Sequence, residues 1–138
     1  MARIMAFDYG SKRTGIAVTD PMQIIATGLT TIHSKDLIQY IKDYMSKEPV
    51  DGFVVGAPKR LNNEDTHGTQ LANAFVNLLK KQFPSVPIHR IDERFTSKLA
   101  SKAILDSGVK KKDRQNKELI DTVSATIILQ SYLEAKSF

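Results

Sequence analysis

The apolar positions of the chain fall into short runs and helical stripes that predict nine elements. Ile4-Met5-Ala6-Phe7-Asp8 is a short apolar strand that ends on an acid. Tyr9–Arg13 is a Gly/Ser/Lys turn, and Thr14–Thr19 alternates as a second strand, so the two should pair as a hairpin. Ile24–Ile32, rich in β-branched residues, makes a third strand. Ser34 can cap a helix running to about Lys47, in which Leu37, Ile38, Ile41 and Met45 recur at helical spacing. Gly52–Gly56 holds the continuous apolar run Phe53-Val54-Val55, typical of a buried parallel strand. After the polar loop Ala57–Asp65, a helix beginning at Thr66 carries Leu71, Ala74, Phe75, Leu78 and Leu79 and ends before Pro84. Val86–Ile91 is a fifth strand. Thr96 or Ser97 caps a helix to about Asp106 that Gly108 stops, and Lys117–Glu134 is the last helix.

The order β-β-β-α-β-α-β-α-α defines an α/β fold. A three-stranded antiparallel meander followed by two parallel strands gives a five-stranded mixed sheet with helices on both faces. The 138 residues suit one domain, 1–138. Nothing at the N-terminus reads as a signal peptide, and no apolar run approaches a membrane span. The chain has no cysteine, which excludes disulfides, thiol catalysis and Cys-ligated metals. These features fit a cytoplasmic protein with no membrane partner.

Charge changes the picture more. The net charge of +5 favours a polyanionic partner. Lys98, Lys102, Lys110, Lys111, Lys112, Arg114 and Lys117 crowd one late segment, opposed there only by Asp106 and Asp113. Alone, such a run reads as a solvated loop. Beside a carboxylate site it becomes a surface for phosphates.

Carboxylates supply the candidate chemistry. Asp8 continues the Ile4/Ala6 face at the end of the first strand. A carboxylate there is costly unless paired or bound to a cation; the plain alternative is an Asp opening the Tyr9-Gly10 turn. Asp92 and Glu93 end the fifth strand. Adjacent residues point to opposite faces, so only one of the two can join Asp8. Asp121 aligns with Ala125, Ile128 and Tyr132 on a mostly apolar helix face that should dock on the sheet. Its plain reading is a first-turn acid at a helix N-terminus. Together these acids predict a cluster at the end of the sheet where the first strand finishes. A set of acids without His or Cys suits hard cations, Mg²⁺ or Mn²⁺. Two such ions can serve phosphodiester hydrolysis. No G-x-S-x-G elbow points to acyl transfer.

Four blocks follow in order along residues 4 to 134: Phe7-Asp8-Tyr9-Gly10-Ser11-Lys12-Arg13-Thr14-Gly15-Ile16-Ala17-Val18-Thr19-Asp20, Val54-Val55-Gly56-Ala57-Pro58, Asp92-Glu93-Arg94-Phe95-Thr96-Ser97, and Ile120-Asp121 with Ala125 and Ile128–Glu134. Together they resemble the YqgF/RuvX family. The resemblance implies an RNase H-like nuclease, which the element order also matches. The family was first connected with Holliday junction resolution and is now linked to maturing the 5′ end of the pre-16S ribosomal RNA. It implies Asp8, Glu93 and Asp121 as catalytic and metal-binding acids, with two Mg²⁺ or Mn²⁺ ions. Nucleic-acid contacts are expected from Lys12, Arg13, Asn62, Arg94, Lys110, Lys111, Lys112 and Arg114. One block departs: the loop Pro58–Gly68 displaces the family's tight-turn glycine, and Asn62 is the match to its asparagine. His67 and His89 read as surface or strand residues, since nothing pairs them with a nucleophile.

The partner expected is structured RNA, a ribosomal RNA precursor, with the chain a monomer or weak homodimer. The alternatives are a resolvase of branched, four-way DNA, which needs a symmetric dimer, and a nucleic-acid-binding regulator that does not cleave. An ATP-binding domain of the actin type shares the Asp-x-Gly turn, but it closes two domains over its nucleotide, and this chain has room for one.

Overall fold

The computed structural model describes residues 2–57, 67–92 and 117–136. The described elements are β1 (Arg3–Tyr9), β2 (Arg13–Thr19), β3 (Ala26–His33), α1 (Leu37–Lys47), β4 (Val50–Ala57), α2 (His67–Gln82), β5 (Ile88–Asp92) and α3 (Lys117–Lys136). The helix expected near residues 96–106 lies outside the described residues.

One mixed sheet runs β3-β2-β1-β4-β5. β1 pairs antiparallel with β2, and β2 with β3. β4 pairs parallel with β1, and β5 with β4. This is the meander plus two parallel strands that the hydrophobic pattern predicts.

Strand alternation sorts the side chains onto two faces. Met5, Phe7, Ile16, Val18, Phe53 and Val55 form one core with Leu37 and Ile41 of α1 and Ala72, Phe75, Val76 and Leu79 of α2. Ile4, Ala6, Ala17 and Val54 form the other, against Ala125, Ile128 and Leu129 of α3. Helices thus cover both faces, as a sheet with parallel strands requires. The first core is aromatic. Phe7 meets Phe53 at 5.7 Å and Phe75 edge-on at 5.3 Å, and Tyr9 stacks on Phe75 at 4.5 Å. Such offset and edge contacts add to area burial. They also clamp both neighbours of Asp8 at the end of β1.

In the second core, Ala6, Ala17 and Ala125 stand among the larger aliphatics, and glycines in β2 and β3 let α3 lie very close to the sheet. A Cβ on Gly15 would come within 2.0 Å of the Asp121 carbonyl oxygen. One on Gly28 would come within 2.8 Å of Thr122 Cγ2. Glycine within a strand often marks such a close backbone approach. The Thr31 and Thr122 hydroxyls hydrogen-bond at 2.6 Å across the same seam.

Two local expectations are corrected. The third strand begins at Ala26, and Ile24 and Ile25 stand in the preceding turn, 67% and 63% exposed. The Asp20 carboxylate captures that turn by accepting from the backbone N–H groups of Ile24 and Ile25, each at 2.8 Å. Gln23 within it has a φ of 58°. Ser34 does not cap α1: a short 3₁₀ turn, Ser34–Asp36, precedes the helix, and His33 Nδ1 accepts from Lys35 N. The Ser34 hydroxyl is used elsewhere, donating to the Gly10 carbonyl and sharing a hydrogen bond with Thr14 Oγ1.

The Asp20 turn carries a pH signature. The N–H groups of Ile25 and then Ile24 favour the charged carboxyl and hold it below its ordinary value of 3.8. A lowered folded-state pKa contributes stability that is present above the unfolded value and lost as pH falls through the folded one. Asp20→Ala should therefore melt earlier than the wild type at neutral pH. The gap should close as pH drops below about 3.8. Thermal melts across that window check this, and a gap that stays constant to strongly acidic pH would contradict it.

Candidate active site

Asp8 is the last even-numbered position of β1, following Ile4 and Ala6 onto the face under α3. Its partner in register is Gly15. The backbone of Asp121 rests on that same Gly15. One glycine therefore brings together two acids that are 113 residues apart in sequence. Asp121 also stands on the face predicted for it, with Ala125 and Ile128 in the core and Tyr132 packed against it.

Both acids line one cleft of about 270 Å³, together with Tyr9, Gly10, Ser11, Lys12 and Arg13. The β1–β2 turn closes with a hydrogen bond from Gly10 N to the Arg13 carbonyl, 3.1 Å. Ser34 N donates to the Lys12 carbonyl at 3.1 Å, which fastens the turn to the start of α1's leader. Ser11 and Lys12 are exposed at the mouth. Arg13 is directed inward: its Nε donates to Asp121 Oδ2. The pair is partly buried, with the side chains 31% and 19% exposed.

Of the expected site residues, the structure gathers Asp8, Asp121, Lys12 and Arg13. Asn62, Glu93, Arg94, Lys110, Lys111, Lys112 and Arg114 lie outside the described residues. Among the described residues, no three acids, His or Cys gather as a metal centre. The donor set of the cleft still fits a hard divalent cation. Its Asp8 and Asp121 offer carboxylate oxygens, with no His or Cys in the lining. Asp121 already holds a cation, the Arg13 guanidinium. His89 is not part of this site; it packs on Tyr132 with centroids 4.8 Å apart, as a strand residue would.

Sequence reasoning missed Gly15 as the seat of α3 and Arg13 as the partner of Asp121. An isolated glycine in the alternating strand Thr14–Thr19 was the available signal for the first. No local signal exists for the second, which spans 108 positions.

A five-stranded mixed sheet in the order β3-β2-β1-β4-β5 with helices on both faces is the RNase H-like fold. The fold agrees with that of RuvC from Thermus thermophilus, solved in complex with a Holliday junction substrate. The TM-score is 0.60 at 13% identity, over 99% of this chain and 96% of that one. Residues 2–135 match the family model described as RuvX: Holliday junction resolvase. The chain belongs to the RuvX family. A relative from Phocaeicola vulgatus is 56% identical over 100% of this chain and 99% of its own length. One from Bacteroides thetaiotaomicron is 54% identical over the whole of both chains. Both carry the name "Putative pre-16S rRNA nuclease".

Proposed function

We propose that this chain is a metal-dependent endonuclease that hydrolyses phosphodiester bonds in the 5′-end maturation of pre-16S ribosomal RNA. The observation that carries the reading is the meeting of Asp8 and Asp121 in one cleft bordered by Lys12 and Arg13. The names of the relatives supply the substrate.

Asp8 and Asp121 would hold the divalent cations, Mg²⁺ or Mn²⁺, with Glu93 as the third acid. The choice of Glu93 over Asp92 follows the family motif Asp92-Glu93-Arg94. Cations bound there supply activation of a water and stabilisation of the leaving oxygen. The chain's own part is to fix geometry. The aromatic clamp holds the end of β1, and Gly15 holds the start of α3 against it. Lys12 at the mouth would bind the phosphate backbone, which positions a substrate without reading its bases. Lys110, Lys111, Lys112 and Arg114 would extend that track, and Asn62 and Arg94 would add contacts from their loops. No described helix is long and apolar enough to cross a membrane. A cytoplasmic site of action, beside the ribosomal RNA, is part of the proposal.

Resolution of four-way DNA junctions is the second reading, favoured by the fold shared with RuvC. It requires two sites acting on symmetric strands, hence a dimer; the first reading works with a monomer or a weak homodimer.

The test incubates purified protein with Mg²⁺ or Mn²⁺ and precursor RNA, a four-way DNA junction or simple single strands, with mass measured in solution. Metal-dependent cleavage of precursor RNA by a monomer supports the first reading. Symmetric cutting of the junction by a dimer transfers support to the second. Binding of RNA with no cleavage under any metal would make the chain a binding regulator and sink both.

A further inference from the structure

We propose that Arg13 is a resident counter-cation of the acidic cleft: it holds Asp121 until a divalent cation takes its place, and the freed guanidinium then becomes a phosphate contact. The inference rests on the reading of Asp8 and Asp121 as cation ligands and adds a step to it.

The backbones at both ends of the ion pair are pinned. Arg13 opens β2, pairs in register with His33 and closes the turn through its carbonyl. Asp121 has its backbone seated on Gly15. Any rearrangement on cation binding therefore falls to the two side chains. Arg13 Nε donates to Asp121 Oδ2, inside the cleft that Asp8 also lines. A divalent cation on that carboxylate would stand a few ångströms from the Arg13 guanidinium if Arg13 kept its place. Even in high dielectric, that repulsion lowers cation affinity by about ten-fold or more. Exchange relieves it. The displaced guanidinium remains in the same cleft beside exposed Lys12, and its planar fork matches phosphate oxygens bidentately. Cation binding and polyanion binding then become positively coupled, each strengthening the other by the same factor.

Two titrations on the full chain test this, with folding verified by circular dichroism. The first is calorimetric, with Mn²⁺ alone, on wild type, Arg13→Gln, Arg13→Lys and Asp8→Asn. Arg13→Gln should bind Mn²⁺ about ten-fold tighter than wild type, because the competing charge is gone. Arg13→Lys keeps the charge and should stay near wild type. Arg13→Gln no tighter than wild type overturns the proposal, and so does Arg13→Lys as tight as Arg13→Gln. Asp8→Asn reports on the underlying site. If it abolishes Mn²⁺ binding while Arg13→Gln changes nothing, the metal site stands and the exchange falls. If it leaves binding intact while Arg13→Gln tightens it, the exchange at Asp121 stands and the two-acid site falls. No Mn²⁺ binding by any variant overturns both.

The second titration measures the salt dependence of binding to a single-stranded phosphorothioate oligonucleotide. With Mn²⁺ present, Arg13→Gln should flatten the slope of log K by about 0.7, one phosphate contact. In EDTA the two proteins should share one slope, since Arg13 is engaged with Asp121. Equal flattening in both conditions would make Arg13 a permanent phosphate contact and overturn the exchange.

Discussion

Asp8→Asn should leave the protein folded and able to bind nucleic acid while cleavage falls by about two orders of magnitude or more. The substitution is nearly isosteric. The residues on either side, Phe7 and Tyr9, stay clamped by Phe53 and Phe75. Loss of the negative charge removes a cation ligand, so the chemistry has no anchor. It also removes repulsion toward phosphate, so binding measured in EDTA, where no cation contributes, should hold or tighten. Single-turnover cleavage of precursor RNA by wild type and variant decides the matter. Equal rates, with contaminating nuclease excluded, would end the metal-nuclease reading while leaving the fold and family untouched.

The separation of site from fold in that experiment mirrors what the sequence discloses. Apolar runs, alternation and helical spacing located every described strand and α-helix, because β1, β2 and β4 are buried on both faces and the helices pack one face on the sheet. The same alternation put Asp8 on the Ile4/Ala6 face, and helical spacing put Asp121 in line with Ala125 and Ile128. Failures arose where a polar side chain redirected the backbone. The β-branched Ile24 and Ile25 look like strand, but Asp20 takes their N–H groups and turns the chain. Local side-chain hydrogen bonds of this kind compete with regular structure. Ser34 looks like a cap, but its hydroxyl goes to Gly10 and Thr14, which are distant in sequence and adjacent in space. Arg13 was legible as a basic residue near an acid and not as the partner of Asp121, because that pairing exists only once α3 has docked.

Docking of α3 is also where the second large effect is expected. Gly15→Ala should lower stability by about 3 kcal/mol or more, the severe end of overpacking. The melting temperature should fall by about 10 °C for a chain of this size. The added Cβ would lie 2.0 Å from the Asp121 carbonyl oxygen and 2.3 Å from its carbon. Those are backbone atoms in an α-helix, and no rotamer change moves them. Relief requires α3 to lift from β2, which opens the small-residue core of Ala6, Ala17 and Ala125. The same movement carries Asp121 away from Asp8, so cleavage and Mn²⁺ binding should weaken with stability. Gly28→Ala is the matched control. Its Cβ would meet the Thr122 methyl at 2.8 Å and the Thr126 hydroxyl at 3.0 Å, side-chain atoms that a χ1 rotation can move without shifting the helix backbone, at the expense of the Thr31–Thr122 hydrogen bond. It sits on the edge strand β3 and should cost less, about 1–2 kcal/mol, with the cleft intact. Denaturant melts of the two variants give the comparison. If Gly15→Ala proved no worse than Gly28→Ala, the close seat of α3 on β2 would not be what holds the two aspartates together.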